Sequence, residues 1–485
     1  MTNYVWYPAG YNLAWTTSIP AVALIMTPVT LLLNANASFN ILALLAPVLS
    51  ATACFYLVHY VTKKFFPALV AGYVFGFSSY ELGQLLGHLN LYLTFLIPLA
   101  ILVFLLRIDR KLSKLAYIAL LSVITVGLFG TSIEIFTTFA VFAGLSIIIF
   151  YLVLGKAERK AIKSTLRDSC WSFVISLAIL SPYLYFLIRG YGLQPGVLNS
   201  PLIFSANLLN YVIPTPLTLI GSAHFSKISA NFSGNFSETG AYLGIPLVLI
   251  LAYYVIRSWR KNYVKALAAI LVVLIISSLG PRLHVSGAAA SIPLPWLLAT
   301  HLPFLKFALP TRFTLYVSLV AAIMMGLWLS QEGSTSRTIL KYLVALIAIV
   351  ALLPNTSQYD WKTITVPPIF TKAVASRYIK QDEAIAVLPY GSDGSSMYYQ
   401  YTSGMRFKQS GGYIGTAAAP FTEQFEQPGP NFTNELAAFC SKYKLTKIIY
   451  TRQTSPVLVK ALSATGWPTE NEGGVEVISV PSDRE

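Results

Sequence analysis

Few acidic residues interrupt the apolar first 355 positions of this chain, and Glu81, Glu134 and Glu238 stand where an apolar run meets a polar gap. An ionisable group at such a boundary is costly and usually marks a cavity or a path. Converging carboxylates can take a proton from an attacking hydroxyl or hold a cation. The plainer alternative is a helix cap in headgroup water, and each of the three also fits that. His88, in the run Gly87, His88, Leu89, Asn90, can relay a proton or bind a sugar or an anion; it can equally be an interfacial histidine bonded to a carbonyl. Lys306 and Arg312, within 302–313, are fixed cations just before an apolar run. They could grip a phosphate, the arginine with two parallel hydrogen bonds, or anchor the chain in headgroups. No cluster has metal-ligand spacing. Cys54, Cys170 and Cys440 match no zinc or redox pattern. The glycine-containing stretches at 388–394 and 411–413 read as turns rather than phosphate or dinucleotide loops, so no cofactor is expected.

Ten apolar stretches must position these residues: 38–62, 65–80, 90–108, 115–133, 135–154, 169–189, 240–257, 263–280, 313–330 and 338–355. Most reach the roughly 20 residues needed to cross a bilayer. Lys and Arg concentrate in alternate gaps, at 63–64, 107–114, 156–167, 257–265 and 337–341. Basic loops stay in the cytoplasm, so the gaps holding Glu81, His88, Glu134, Glu238 and Arg312 face outward. An eleventh stretch, 16–34, contains Pro20 and Pro28. Proline breaks helices, which favours an in-plane or re-entrant segment over an eleventh span.

Of the 485 residues, 55% are hydrophobic and 11% charged. Soluble domains carry about 25% charged residues, so this is a polytopic helical membrane protein of 10–11 spans. The net charge of +15 lies entirely in 1–355, with 22 Lys and Arg against 7 Asp and Glu; residues 356–485 hold 12 of each. The positive charge therefore orients spans and meets anionic headgroups, and nucleic acid is not an expected partner. Beyond 355 the apolar runs shrink to strand and helix size. Strands are expected at 384–390, 447–450 and 474–480, with helices at 371–379, 434–443 and 456–464, making a small, partly parallel α/β domain. The expected organisation is an outer loop with the in-plane segment (1–37), a transmembrane helical domain (38–355) and an extracytoplasmic α/β domain (356–485).

One ordered set of motifs carries a resemblance. It runs Tyr7-Pro-Ala-Gly, then Phe75-Gly-Phe-Ser-Ser before Tyr80, then Gly87-His-Leu-Asn and Ile97-Pro-Leu. Ser132-Ile-Glu, Glu238 with Tyr242-Leu-Gly, Leu294-Pro-Trp and Pro310-Thr-Arg follow. The chain resembles prokaryotic membrane proteins of the C-type (GT-C) glycosyltransferase superfamily, near the YfhO-like and RgtA/B/C/D-like groups. The resemblance implies a hexosyl- or pentosyltransferase of the plasma membrane. It would move a sugar, with inversion, from a polyprenyl-phosphate carrier to a cell-envelope glycan, lipid or protein outside. Glu81, His88 and Glu134 would then line the catalytic centre. Arg312 and Lys306 would hold the lipid phosphate, and Asn90 and Glu238 would shape the cavity. Such proteins normally carry an acidic residue in their first outer loop, after a first span. Here no Asp precedes Asp109 and no Glu precedes Glu81. The chain is thus expected to begin inside that loop, truncated at its N-terminus, with the acid upstream, or else to be an inactive copy. The alternative is a non-catalytic protein that exports or assembles lipid-linked polymer. An ion-coupled transporter would need mid-span charges or paired broken helices, which the sequence does not display.

Overall fold

The structure, a computed structural model, describes residues 2–189, 199–221, 224–302, 305–359, 363–391, 394–414 and 419–481. Two compact units are present: Ser18–Ser181 with Asn199–Asp360, and Met1–Thr17 with Pro182–Leu198 and Trp361–Glu485.

The first unit is helical. Its helices are α1 (Pro20–Leu32), α2 (Ala35–Thr62), α3 (Phe65–Gly76), α4 (Ser79–Gln84), α5 (Leu89–Tyr92), α6 (Leu96–Ile108), α7 (Lys114–Thr131), α8 (Ile133–Val153) and most of α9 (Lys156–Arg189). After them come α10 (Ser226–Ser229), α11 (Ile245–Ser258), α12 (Asn262–Ser278), α13 (Trp296–Ala299), α14 (Thr314–Leu329) and α15 (Thr335–Ala351). A short antiparallel pair, β1 (Arg282–His284) and β2 (Ala289–Pro293), interrupts the long segment before α14. Six of the helical stretches among the described residues are long and apolar enough to cross a membrane, and the protein is a multi-pass membrane protein.

Local sequence sets the helix limits. Side chains of Asn34, Ser113 and Ser132 accept backbone N–H groups from the first turns of α2, α7 and α8, meeting donors that no helix can satisfy internally. The stretch expected as one span at 65–80 is divided. Helix α3 stops at Gly76, and Ser78 caps α4 by accepting from Glu81 N at 3.4 Å. Beyond that break, Glu81 and Gln84 sit on a short helix of their own. Helix α1, with Pro28 inside, has only 13 residues and rises about 20 Å, less than the roughly 30 Å of a hydrocarbon core.

Burial separates lipid-facing helices from the pillar of the unit. Of an 18-residue apolar stretch within Pro310–Leu329, 83% is buried, against 17% for the matching stretches of α8 and α9. A helix that is apolar all round and buried sits at the centre, so α14 is the element around which the others pack. Tyr316, Met324, Met325 and Trp328 of α14 belong to one core with Phe75, Tyr117, Phe142 and Tyr254.

The second unit holds the α/β domain expected at the C-terminus. Its helices are α16 (Ala375–Tyr378), α17 (Ser396–Thr402), α18 (Thr422–Glu426), α19 (Phe432–Tyr443) and α20 (Pro456–Ser463). Its strands are β3 (Glu383–Leu388), β4 (Phe407–Gln409), β5 (Lys447–Tyr450), β6 (Thr469–Glu472) and β7 (Val475–Ser479), in the order β4-β3-β5-β7-β6. Strand β3 is parallel to β4 and β5, whereas β7 runs antiparallel to β5 and β6. Both faces of β3 are covered, Ala386 and Leu388 in one core and Ile385 and Val387 in another. Of the tail's glycine-containing stretches, 388–394 includes Ser392 and Asp393, which lie outside the described residues.

The first residues of the chain complete this unit. Tyr4 O accepts from Gln409 N at 2.9 Å, Tyr7 N donates to Gln409 O at 3.0 Å, and Trp6 N donates to Gly411 O at 3.2 Å. An exposed sheet edge is a site of unwanted pairing; here the N-terminal segment occupies the free edge of β4. Val5, Trp6 and Tyr11 are buried in the same core as Leu388, Leu436 and Ile448. Tyr183 Oη donates to Ala14 O at 3.0 Å and Asn12 Nδ2 to Phe186 O at 2.9 Å, so the end of α9 belongs to the unit too.

Candidate functional site

Three separate stretches deliver one buried ion cluster in the helical unit. The Ser132 cap places Glu134 in the first turn of α8. Asn235 caps a short 3-10 turn, Phe236–Glu238, by accepting from Glu238 N at 3.2 Å, and so fixes Glu238. A 3-10 turn, Pro310–Phe313, runs straight into α14 and carries Arg312. The side chains of Glu238, Arg312 and Glu134 are 1%, 13% and 23% exposed.

Arg312 donates Nη1 to Glu134 Oε2, and its Nε and Nη2 to Glu238 Oε1 at 2.9 and 2.5 Å. The remaining oxygens are also held. Leu309 N donates to Glu134 Oε1 at 3.2 Å, and Gln84 Nε2 to Glu238 Oε2 at 3.1 Å. Thr311 Oγ1 donates to the Glu238 carbonyl at 2.6 Å. Two carboxylates share one guanidinium, so the cluster's formal charge is −1. Buried charges persist only when paired and hydrogen-bonded in this way. Among the three ions Glu134 is the most accessible.

A second polar group lies beside it. Glu81, on α4, is buried, and Thr94 donates its hydroxyl to Glu81 Oε1; Ser50 of α2 lies 3.0 Å from Thr94 Oγ1. Burial raises the Glu81 carboxyl well above the ordinary carboxylate value, opposed by the bonds from Thr94 and Ser50, which favours its protonated form. Glu81 Oε2, Gln84 Oε1, His88 Nδ1 and Tyr92 Oη are all buried without a hydrogen-bond partner among the described residues. Four such atoms within twelve residues leave hydrogen-bonding capacity that a polar ligand could use. Burial lowers the His88 imidazole below its ordinary value, with Glu238 pulling it up and Arg312 pushing it down, so the ring is neutral and within electrostatic reach of the ion cluster.

The structure therefore gathers Glu134, Glu238 and Arg312 into direct contact, with His88 close enough to feel their charge. Glu81 bonds instead to Thr94, one helical turn from Gln84. Asn90 is half-buried on α5. Lys306 is exposed, its Nζ 4.9 Å from the Phe307 ring centroid and outside the ion cluster. Gln84 and Thr94 are the residues that sequence reasoning missed. Gln84 follows Glu81 by three positions on a helix, a spacing that puts both on one side; Thr94 carried no comparable signal.

A family model described as "Domain of unknown function (DUF6311)" matches residues 1–353. No curated protein matches the sequence. Among solved structures, the cryo-EM structure of the arabinofuranosyltransferase AftD from Mycobacteria aligns with a TM-score of 0.64 at 13% identity, covering 100% of this chain and 37% of that one. A mutant form of AftD, class 2, aligns with a TM-score of 0.60 at 12% identity, over 99% of this chain and 38% of that one. The crystal structure of ArnT from Cupriavidus metallidurans bound to undecaprenyl phosphate gives a TM-score of 0.46 at 10% identity, over 98% and 94%. The chain thus spans little more than a third of AftD's length, and what it shares with AftD is the fold.

Proposed function

We propose a function from one premise: the chain belongs to the DUF6311 family, and its fold is that of the GT-C membrane glycosyltransferases. It moves a sugar from a polyprenyl-phosphate carrier to a hydroxyl on an extracytoplasmic glycan, lipid or protein. The observation that carries this reading is the Glu134–Arg312–Glu238 cluster, built at the starts of α8 and α14 in the helical unit. By the charge alternation of the loops, this end of the helices and the α/β unit lie outside the membrane.

The chemistry follows from the difference between the two acids. Glu134, partly exposed, accepts the proton of the acceptor hydroxyl. The hydroxyl oxygen attacks the anomeric carbon, and the carbon–oxygen bond to phosphate breaks with its electron pair going to the phosphate oxygen. Protonation weakens the hold of Glu134 on Arg312 Nη1, which releases guanidinium charge toward the departing phosphate. Glu238, fully buried, keeps Arg312 oriented throughout. Burial favours the protonated carboxyl of Glu81 and the neutral ring of His88, forms that present hydrogen-bonding groups to an uncharged sugar without adding charge.

The test is transfer by the purified protein in liposomes. Labelled polyprenyl-phosphate sugars would be supplied outside, with envelope material as acceptor. Glu134→Gln should lower the rate by a factor of about 10² or more. Unchanged transfer by that variant would remove the proposed base. One observation favours the non-catalytic reading: both carboxylates of the cluster are already committed to Arg312. On that reading the wild-type protein transfers no sugar, and the cluster serves only to hold three segments together.

A further inference from the structure

At the opposite end of the helices, two basic loops meet on one aromatic ring. Lys63 follows α2 and Lys111 follows α6, yet their Nζ atoms lie 3.9 and 4.7 Å from the centroid of Tyr60. The two ammonium groups are therefore within roughly 9 Å of each other. Two cations so placed attract an anion that can bridge them. Neither lysine has a carboxylate partner within ion-pair distance among the described residues. The nearest acid in sequence, Asp109, instead accepts the Tyr60 hydroxyl at 2.6 Å.

The flanking residues are apolar and exposed. Val61, Phe65 and Phe66 are 44%, 55% and 65% exposed, an apolar rim suited to hydrocarbon beside a charged centre suited to headgroups.

We propose that Tyr60, Lys63 and Lys111 form a binding site for the phosphate of an anionic phospholipid in the cytoplasmic leaflet. The ring face holds the ammonium groups by cation–π attraction, and its hydroxyl bond to Asp109 fixes the ring. The phosphodiester sits between the two Nζ atoms, and its acyl chains lie along Val61, Phe65 and Phe66. This site is separate from the outer ion cluster and does not depend on the transferase reading.

The experiment uses delipidated full-length protein in detergent. Thermal stability is followed as phosphatidylglycerol, phosphatidylcholine or inorganic phosphate is added. Phosphatidylglycerol should give a saturable rise and phosphatidylcholine none. In Lys63→Gln/Lys111→Gln the half-saturating lipid concentration should increase at least about tenfold. Lys63→Arg/Lys111→Arg, which keeps the charge, should saturate near the wild-type concentration and shows that the loops tolerate substitution. Three results overturn the site: equal effects of the two lipids, full competition by millimolar inorganic phosphate, or an equal loss in the remote pair Lys156→Gln/Lys160→Gln.

Discussion

Arg312 reaches a single oxygen of Glu238 with two of its nitrogens, Nε at 2.9 Å and Nη2 at 2.5 Å, and has its third nitrogen on Glu134. The pairing ties the turn before α14 to the turn ending at Glu238 and to the start of α8. It also leaves the cluster one positive charge short of neutrality, so removing the cation strands two carboxylates in a place where water reaches only one.

Arg312→Ala should therefore destabilise the protein by about 3–5 kcal/mol, the usual effect of breaking a buried ion pair from one side. Arg312→Lys should recover only part of this, because one ammonium cannot reproduce the forked contacts. Thermal unfolding in detergent measures both. An unchanged melting temperature in Arg312→Ala would show that the cluster is hydrated rather than buried.

Glu81 gives a pH signature with a definite sign. Burial raises its folded-state pKa above the ordinary glutamate value of about 4.3. The folded protein thus keeps a proton that the unfolded chain has lost. Stability from this site is fully present below the unfolded value and is lost as pH rises through the folded one. Glu81→Gln carries no such proton, so the wild type should lose stability relative to the variant as pH is raised from about 5. Melting curves of both across pH 5–8 test it, and a constant gap would mean Glu81 is ionised in the fold.

Trp6 is 2% exposed and donates Nε1 to Gly412 O at 3.2 Å. Trp6→Ala should cost about 3–5 kcal/mol, a typical large-to-small core loss. Trp6→Phe, which keeps most of the ring, should lose far less. Limited proteolysis in the α/β unit reports both, and equal resistance of Trp6→Ala and wild type would show that the N-terminal segment is dispensable there.

The shared unit gives the proposed orientation a direct test. Leu13 and Tyr413 are each about half exposed and belong to the same compact body. In a background lacking Cys54, Cys170 and Cys440, Leu13→Cys and Tyr413→Cys should both react with a non-permeant maleimide in intact cells, and Lys111→Cys should not. Labelling of only one of the first pair would place them on opposite faces of the membrane.

The helices and the tail strands β3, β5 and β7 were legible because burial in lipid or in a sheet leaves long apolar runs. Glu134, Glu238 and Arg312 were legible because charges are rare near hydrocarbon. Their pairing was not, since it depends on how α8, α14 and the turn at Glu238 pack, and no spacing along the chain encodes that. Gln84 escaped notice as a neutral amide, although it holds the second oxygen of Glu238. Lys306 drew attention by charge alone, and the fold leaves it exposed. The N-terminal segment is expected as an outer loop; its strand-like role exists only beside β4, and β4 itself, three residues long, has no periodic signal.

The distance along the chain between Trp6 and Gly412 has a consequence for biosynthesis. They are separated by 406 positions, and ribosomes add about 5–20 residues per second. An indole destined for a protein interior is made roughly 20–80 seconds before its receptor. During that interval it has nowhere native to go. The cell must therefore shelter this earlier-made aromatic segment, or let the membrane surface do so, until the strand it pairs with arrives.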